Sequence, residues 1–152
     1  PYNISSQILF KVLENRNDIN QVVGMFQKEV ADRICSEPKS KKYGILSVLI
    51  QAYFHCEQLF DVSPNNFNPK PKVYSSVIKL SRNNITQLNC DHNKFKEIVK
   101  LGFSQRRKKL KNALKKIITL DYQNTNIMMT KRAEELSVSD FIELTNLIFP
   151  KS

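Results

Sequence analysis

Glycine is scarce in this sequence: Gly24, Gly44 and Gly102 are the only three in 152 residues. Each is isolated, so there is no G-x-G turn of the kind that cradles a phosphate or a dinucleotide. Cysteine is equally sparse. Cys35, Cys56 and Cys90 are odd in number and far apart, with no C-x-x-C pair, which excludes a disulfide framework and a zinc site of ordinary spacing and reads as buried structural thiols. The two histidines, in "YFHCEQ" and "CDHNKF", have no second ligand three or four residues away, so no metal site is expected. No stretch approaches the roughly 18 apolar residues of a membrane span. The opening "PYNISSQILF" lacks the charged and apolar regions of a signal peptide, so the expectation is a soluble, cytoplasmic protein without a membrane partner. Acidic residues are under-represented: 14 Asp and Glu against 24 Lys and Arg leave a net charge of +10. That balance favours a polyanionic partner such as nucleic acid and says nothing about fold.

What is present is enough for one domain or two small ones, with 41% apolar residues and burial of about two-thirds of the unfolded surface. The first segment reads as a helix capped by Ser5, with Ile4 and Leu9 spaced as a hydrophobic staple and Ile8, Leu9, Val12 and Leu13 on one face. "QVVGMFQ" reads as a strand buried on both faces, followed by a helical "KEVADRICSEP" stopped at Pro38. Ile45 to Phe54 reads as a buried helix, and Glu57 to Val62 and Val73 to Leu80 as strands close enough in sequence to form an antiparallel edge pair. Helices alternating with buried strands predict an α/β sheet.

Beyond Leu80 the polar, Asn-rich "SRNNITQLNCDHN" marks a boundary, and the remainder has helical periodicity. The expected division is 1–82, a linker over 83–92 and a small all-α domain over 93–152. Phe95, Ile98, Val99 and Gly102 share one helix face, Leu110, Ala113, Leu114, Ile117 and Ile118 a second, and Val138, Phe141, Ile142, Thr145 and Ile148 a third. Ser137 is placed to cap the last helix, with Asp140 in its first turn and Leu136 positioned to staple onto Phe141.

Charge is concentrated in this helical part. Between Lys94 and Lys116 ten basic residues face one acidic residue, Glu97, which accounts for +9 of the chain's +10. A helix starting near Arg106 would present an apolar face for docking and a nearly unbroken basic face outward. Such a run is either a solvated face or a surface for nucleic-acid phosphates, with a membrane or an acidic protein behind it; phosphate contacts would supply affinity and register without reading sequence. The other distinctive stretch is "NNFNPKPKVYSSVIKL". Pro69 and Pro71 hold it extended, Lys70 and Lys72 project from it, and Phe67 is either tucked into the core or left as a stacking platform for a nucleobase.

Three sets of residues, in order along essentially the whole chain, resemble the ribosomal RNA adenine N6,N6-dimethyltransferases, in particular those that modify small-subunit RNA. They are "PYNISSQILF"; "GMFQKEVADRI" with "YGILSVLIQ"; and "FNPKPKVYSSVIKL" with "FSQRRKKLKNAL" and "RAEELSVSDFIELTN". The resemblance implies the C-terminal half of a Rossmann-like class I methyltransferase sheet followed by a small all-α RNA-binding domain. It also implies that Pro1 and Tyr2 are the last two residues of the family's Asn-Leu-Pro-Tyr motif. The glycine-rich turn and acidic residue that hold S-adenosylmethionine would then lie upstream, and the 152 residues alone would be inactive.

The chemistry explains those residue types. An adenine N6 amine is a poor nucleophile because its lone pair is delocalised into the ring, so the base must be held out of its stack while acceptors bind the amine as it turns tetrahedral. By resemblance, Tyr2 stacks on one face of the flipped adenine and Phe67 on the other, with Pro1 completing the motif. Asn3, Lys70 and Lys72 would hold flanking nucleotides, and Arg106, Arg107, Lys108, Lys109 and Lys111 would dock on structured ribosomal RNA. Where many members carry an acidic residue after Pro-Lys-Val, this chain has Tyr74. The implied parent is a monomeric cytoplasmic enzyme acting on two neighbouring adenines within an assembling small ribosomal subunit. The alternatives are a resistance-type enzyme acting on large-subunit RNA, or a non-catalytic assembly or transcription factor on the same scaffold.

Overall fold

A computed structural model describes residues 4–118 and 126–151, which divide into two units, Pro1–Ser36 with Ile50–Thr86 and Glu37–Leu49 with Gln87–Ser152. Among the described residues no helix is long and apolar enough to cross a membrane.

In the first unit three strands, β1 (Gln21–Gln27), β2 (Phe54–Val62) and β3 (Ser75–Arg82), form an antiparallel sheet in the order β1-β3-β2. The expected β2–β3 pair is therefore present, with β3 inside the sheet and β1 along its other side. Both strands are displaced from their sequence limits. β2 starts at Phe54, which pairs with Arg82, so helix α3 (Ile45–Gln51) ends earlier than its apolar run: the ladder hydrogen bonds outweigh a last helical turn. The apolar run of β1 predicts burial on both faces, but the strand alternates. Phe26 is buried, whereas Val23 and Met25 are 53% and 40% exposed; helix α2 (Lys28–Ile34) packs against all three strands.

Helix α1 (Ser5–Glu14) buries Leu9, Val12 and Leu13 as expected. Ser5 does not cap it. The cap position is Ile4, which offers no side-chain acceptor, while Ser5 lies inside the helix and is buried and Ile8 is exposed. The guanidinium of Arg16 lies 4.4 Å from the Tyr53 ring centre, and Arg82 donates to the Tyr53 carbonyl at 2.7 Å.

The second unit contains α4 (His92–Ser104), α5 (Leu110–Ala113) and α6 (Val138–Ile148), with short 3-10 turns at Ile127–Thr130 and Ala133–Glu135. Asp91 caps α4 by accepting from the Lys94 amide at 2.8 Å, and the inward face is Phe95, Ile98, Val99 and Gly102. α6 begins as expected, with Ser137 and Asp140 exchanging side-chain-to-backbone hydrogen bonds at 3.0 and 3.1 Å. Its buried face is Phe141, Leu144 and Thr145, so Leu144 takes the place expected of Val138, Ile142 and Ile148, which are only half-buried.

Residues 37–49 group with this unit rather than with 1–82. The Tyr43 hydroxyl donates to the Leu136 carbonyl at 2.7 Å and the Lys39 amide to the Glu134 carbonyl at 2.7 Å. These long-range bonds are invisible to local pattern. Burial, with the Asp140 carboxylate adding to it, pushes the Tyr43 hydroxyl pKa well up, so it stays a donor.

Gly102 sits in close packing within this unit. A Cβ there would sit 3.2 Å from Leu110 Cδ2 and 3.3 Å from the Ala133 Cβ. Gly102→Val is expected to destabilise by about 2 kcal/mol through overpacking. Gly102→Ala should be nearly neutral, because about 1 kcal/mol of helix propensity offsets the crowding. Urea unfolding midpoints of the two variants check this; equal midpoints would show that α4 shifts freely.

Candidate functional site

Two surfaces carry the residues singled out by sequence, one in each unit. In the first unit an apolar groove of about 530 Å³ is lined by Ser5 and Ile8 from α1, Gly24, Met25 and Phe26 from β1, and Phe67, Pro69 and Pro71 from the loop between β2 and β3. Local chemistry sets that loop. The Ser63 hydroxyl accepts from the Asn65 amide at 3.3 Å, Pro64 opens a 3-10 turn over Pro64–Asn66, and the Phe67 amide donates to the Pro64 carbonyl at 3.2 Å. The Asn68–Pro69 peptide is cis. Phe67, left open by sequence between core and platform, is half-buried and forms part of the groove wall.

Gly24 keeps the opposite wall low, since a Cβ there would approach the Phe26 ring to 3.1 Å. Only Ser5 among the lining residues has a polar side chain. The groove is thus suited to a flat aromatic ring, and among the described residues its lining contains no side chain able to act as a general base near neutral pH. Lys70 and Lys72 flank Pro71 and are exposed. Pro1, Tyr2 and Asn3, the other residues assigned to this region, lie outside the described residues.

In the second unit the expected long basic helix is not formed. α4 ends at Ser104, and the chain turns before the four-residue α5. Arg107, Lys108 and Lys109 are exposed on that turn, while Lys111 is half-buried. Arg106, grouped with them by sequence, has a different task. Its guanidinium donates to the carbonyls of Tyr43, Ser40 (3.1 Å) and Lys41 (2.8 Å) and pairs with Glu134 at 3.2 Å. A fork of donors satisfied in this way ties the 40–43 loop to the α4–α5 turn and is not available to phosphate.

The same contacts bring in basic residues that sequence pattern alone does not single out. Lys109 forms an antiparallel bridge with Arg132, and the Leu110 amide donates to the Lys131 carbonyl at 2.8 Å, so Lys131 and Arg132 adjoin the Arg107–Lys109 cluster. The Arg106 contacts hold the loop bearing Lys39 and Lys41 against the same turn, and both lysines are exposed. The dipeptides "KK" and "KR" are the only local signals, and neither indicates proximity.

Comparison with known proteins shows the family of the chain. A family model described as "Ribosomal RNA adenine dimethylase" matches residues 1–149. The chain is 54% identical over 149 residues to a protein of Bacteroides thetaiotaomicron named ribosomal RNA small subunit methyltransferase A, covering 97% of this chain and 56% of that protein. A protein of the same name from Cytophaga hutchinsonii is 52% identical over 151 residues, covering 99% of this chain and 58% of that one. The chain therefore spans somewhat more than half the length of these curated relatives. A crystal structure of a dimethyladenosine transferase from Plasmodium falciparum superposes with a TM-score of 0.83 at 26% identity, covering 95% of this chain and 62% of that one. The 23S rRNA methyltransferase ErmE has a TM-score of 0.60 at 22% identity over 96% of this chain and 62% of its own, a likeness of fold.

Proposed function

Because the chain belongs to the ribosomal RNA adenine dimethylase family, we propose that it forms the target-side part of an enzyme that dimethylates N6 of two adjacent adenines in small-subunit ribosomal RNA. In this reading the first unit belongs to the catalytic domain and the second docks on RNA of the assembling small subunit, in the cytoplasm and as a monomer. The observation that carries the proposal is the groove walled by Phe67 and Gly24: an apolar slot roomy enough to admit a base, with exposed lysines beside its rim. The names of the relatives favour the small subunit over the large one.

The chain's own contribution is to hold the base. Phe67 supplies one stacking face and Tyr2 the other, a stack being worth about 1–3 kcal/mol per base. Asn3, Lys70 and Lys72 hold the flanking nucleotides. The groove needs no general base, because an N6 amine that has gained a methyl group is acidic enough to lose its proton to water. S-adenosylmethionine is the donor that the family implies. The chain's three isolated glycines do not fit its glycine-rich cradle, so these residues hold the acceptor base rather than the donor.

The RNA face is tested by salt. Lys108→Glu and Arg132→Glu, alone and together, are expected to weaken binding to small-subunit RNA and to flatten the dependence of log K on log salt by about 0.7–0.9 for each phosphate no longer neutralised. Filter binding over a range of salt concentrations reads both quantities. An unchanged slope in the double variant would leave the basic surface solvated and remove the second unit from the interface.

A further inference from the structure

The loop that supplies Phe67, Pro69 and Pro71 to the groove runs on through Lys72, Val73 and Tyr74 before β3 begins at Ser75. Its far end is fixed by the sheet. Ser75 pairs with Gln27 and Ser76 with Phe26, and the Lys28 amide donates to the Tyr74 carbonyl at 2.9 Å. Tyr74 therefore stands two residues past the partner of Phe26, itself a groove residue, which at about 3.3 Å per residue is about 7 Å along the strand. Its backbone is held while its side chain is 53% exposed. Lys70 and Lys72, both exposed, lie between this ring and Phe67, so aromatic surface and cations are interleaved along one braced segment. That is the composition of a surface for single-stranded nucleic acid, in which rings take bases and lysines take phosphates. Phe60 is as exposed, at 58%, but it sits between Leu59 and Asp61 and has no lysine beside it in sequence.

Resting on the reading of the groove as a base site, we propose that Tyr74 is a second stacking platform, which takes the nucleotide next to the one held in the groove. Drawing a base out of its stack uncovers one face of its neighbour. The Tyr74 ring covers that face again, and Lys70 and Lys72 lie along the path of the backbone that joins the two nucleotides. Every base has a π-face, so the platform holds the neighbour without reading its identity. Tyr74 is also the position at which this sequence departs from the acidic residue of many members of the family. The platform is therefore a property of this chain rather than one shared across them.

The test uses the complete protein that carries this chain, with small-subunit RNA as the probe. Tyr74→Ala is expected to weaken binding about 5- to 100-fold while the slope of log K against log salt stays unchanged, because a stack neutralises no phosphate. Tyr74→Phe should bind as the parent does, and Tyr74→Leu should resemble alanine. The chain has no tryptophan, so Tyr74→Trp adds an indole whose emission, taken as the difference from the parent, is expected to be quenched by RNA and shielded from iodide. Unchanged urea midpoints show that a loss of binding is not a loss of fold, and the indole decides the matter even if the alanine variant is unstable. Parental binding by both Tyr74→Ala and Tyr74→Leu, or an indole still open to iodide in the complex, would overturn the proposal. So would an equal loss from Phe60→Ala, since any exposed ring of this unit would then serve. A complete parent protein that did not bind small-subunit RNA at all would sink the reading of the groove and this proposal with it, a result distinct from RNA binding that ignores Tyr74.

Discussion

Replacing Arg106 with alanine is expected to destabilise the second unit by about 3 kcal/mol, several times the effect of the same change at Arg107, which should stay within about 0.5 kcal/mol. The asymmetry comes from what each side chain touches. Arg106 supplies donors to three carbonyls on the 40–43 loop and a charge partner to Glu134, and its guanidinium lies 5.7 Å from the Phe103 ring centre. Removing it strands acceptors in a partly closed site and leaves the Glu134 carboxylate without this partner. Lysine restores charge but not the planar fork, so Arg106→Lys should recover about 1 kcal/mol of the loss. RNA affinity should follow the opposite order, with Arg107→Ala weakening binding while the fold is intact. Urea unfolding and filter binding on both variants separate the roles. If Arg106→Ala unfolded at the same midpoint as the parent, the loop would be held by something other than these bonds, and Arg106 would return to the RNA-facing set.

Phe67→Ala is expected to lower kcat/KM for methylation by the complete enzyme about 10- to 100-fold, the equivalent of one lost base stack of about 1–3 kcal/mol. The effect should fall on the reaction more than on the fold. The ring is half-buried on a loop held by the Ser63 cap and the Pro64 turn, neither of which the substitution touches. Phe67→Tyr should retain most of the activity, because a phenol stacks as well as a phenyl ring, whereas Phe67→Leu should resemble alanine despite its bulk. That contrast separates stacking from packing. Equal activity in the leucine and tyrosine variants would reduce Phe67 to an apolar wall.

The α/β character, the α4 face and the Ser137–Asp140 cap were legible in the sequence because each rests on residues three or four positions apart, within reach of propensity and periodicity alone. So was the family, since ordered short motifs survive without knowledge of their contacts. Phe67 was legible as a choice between two environments, since the flanking prolines set the backbone but not what lies opposite the ring.

Other features depended on partners far away in sequence. The pairing of Phe54 with Arg82 cut α3 short, and the bonds from Tyr43, Lys39 and Arg106 moved residues 37–49 out of the first unit. The same kind of long-range contact ties Arg106 to the 40–43 loop and sets Lys131 and Arg132 beside the exposed Arg107–Lys109 turn. Composition and local spacing determined that this chain is basic and α/β, and its ordered motifs carried the resemblance to an RNA-modifying family. Which cation stays exposed and which holds a loop was decided only by the tertiary structure, because a guanidinium binds whatever acceptors the fold brings to it, and those acceptors lie more than sixty residues away.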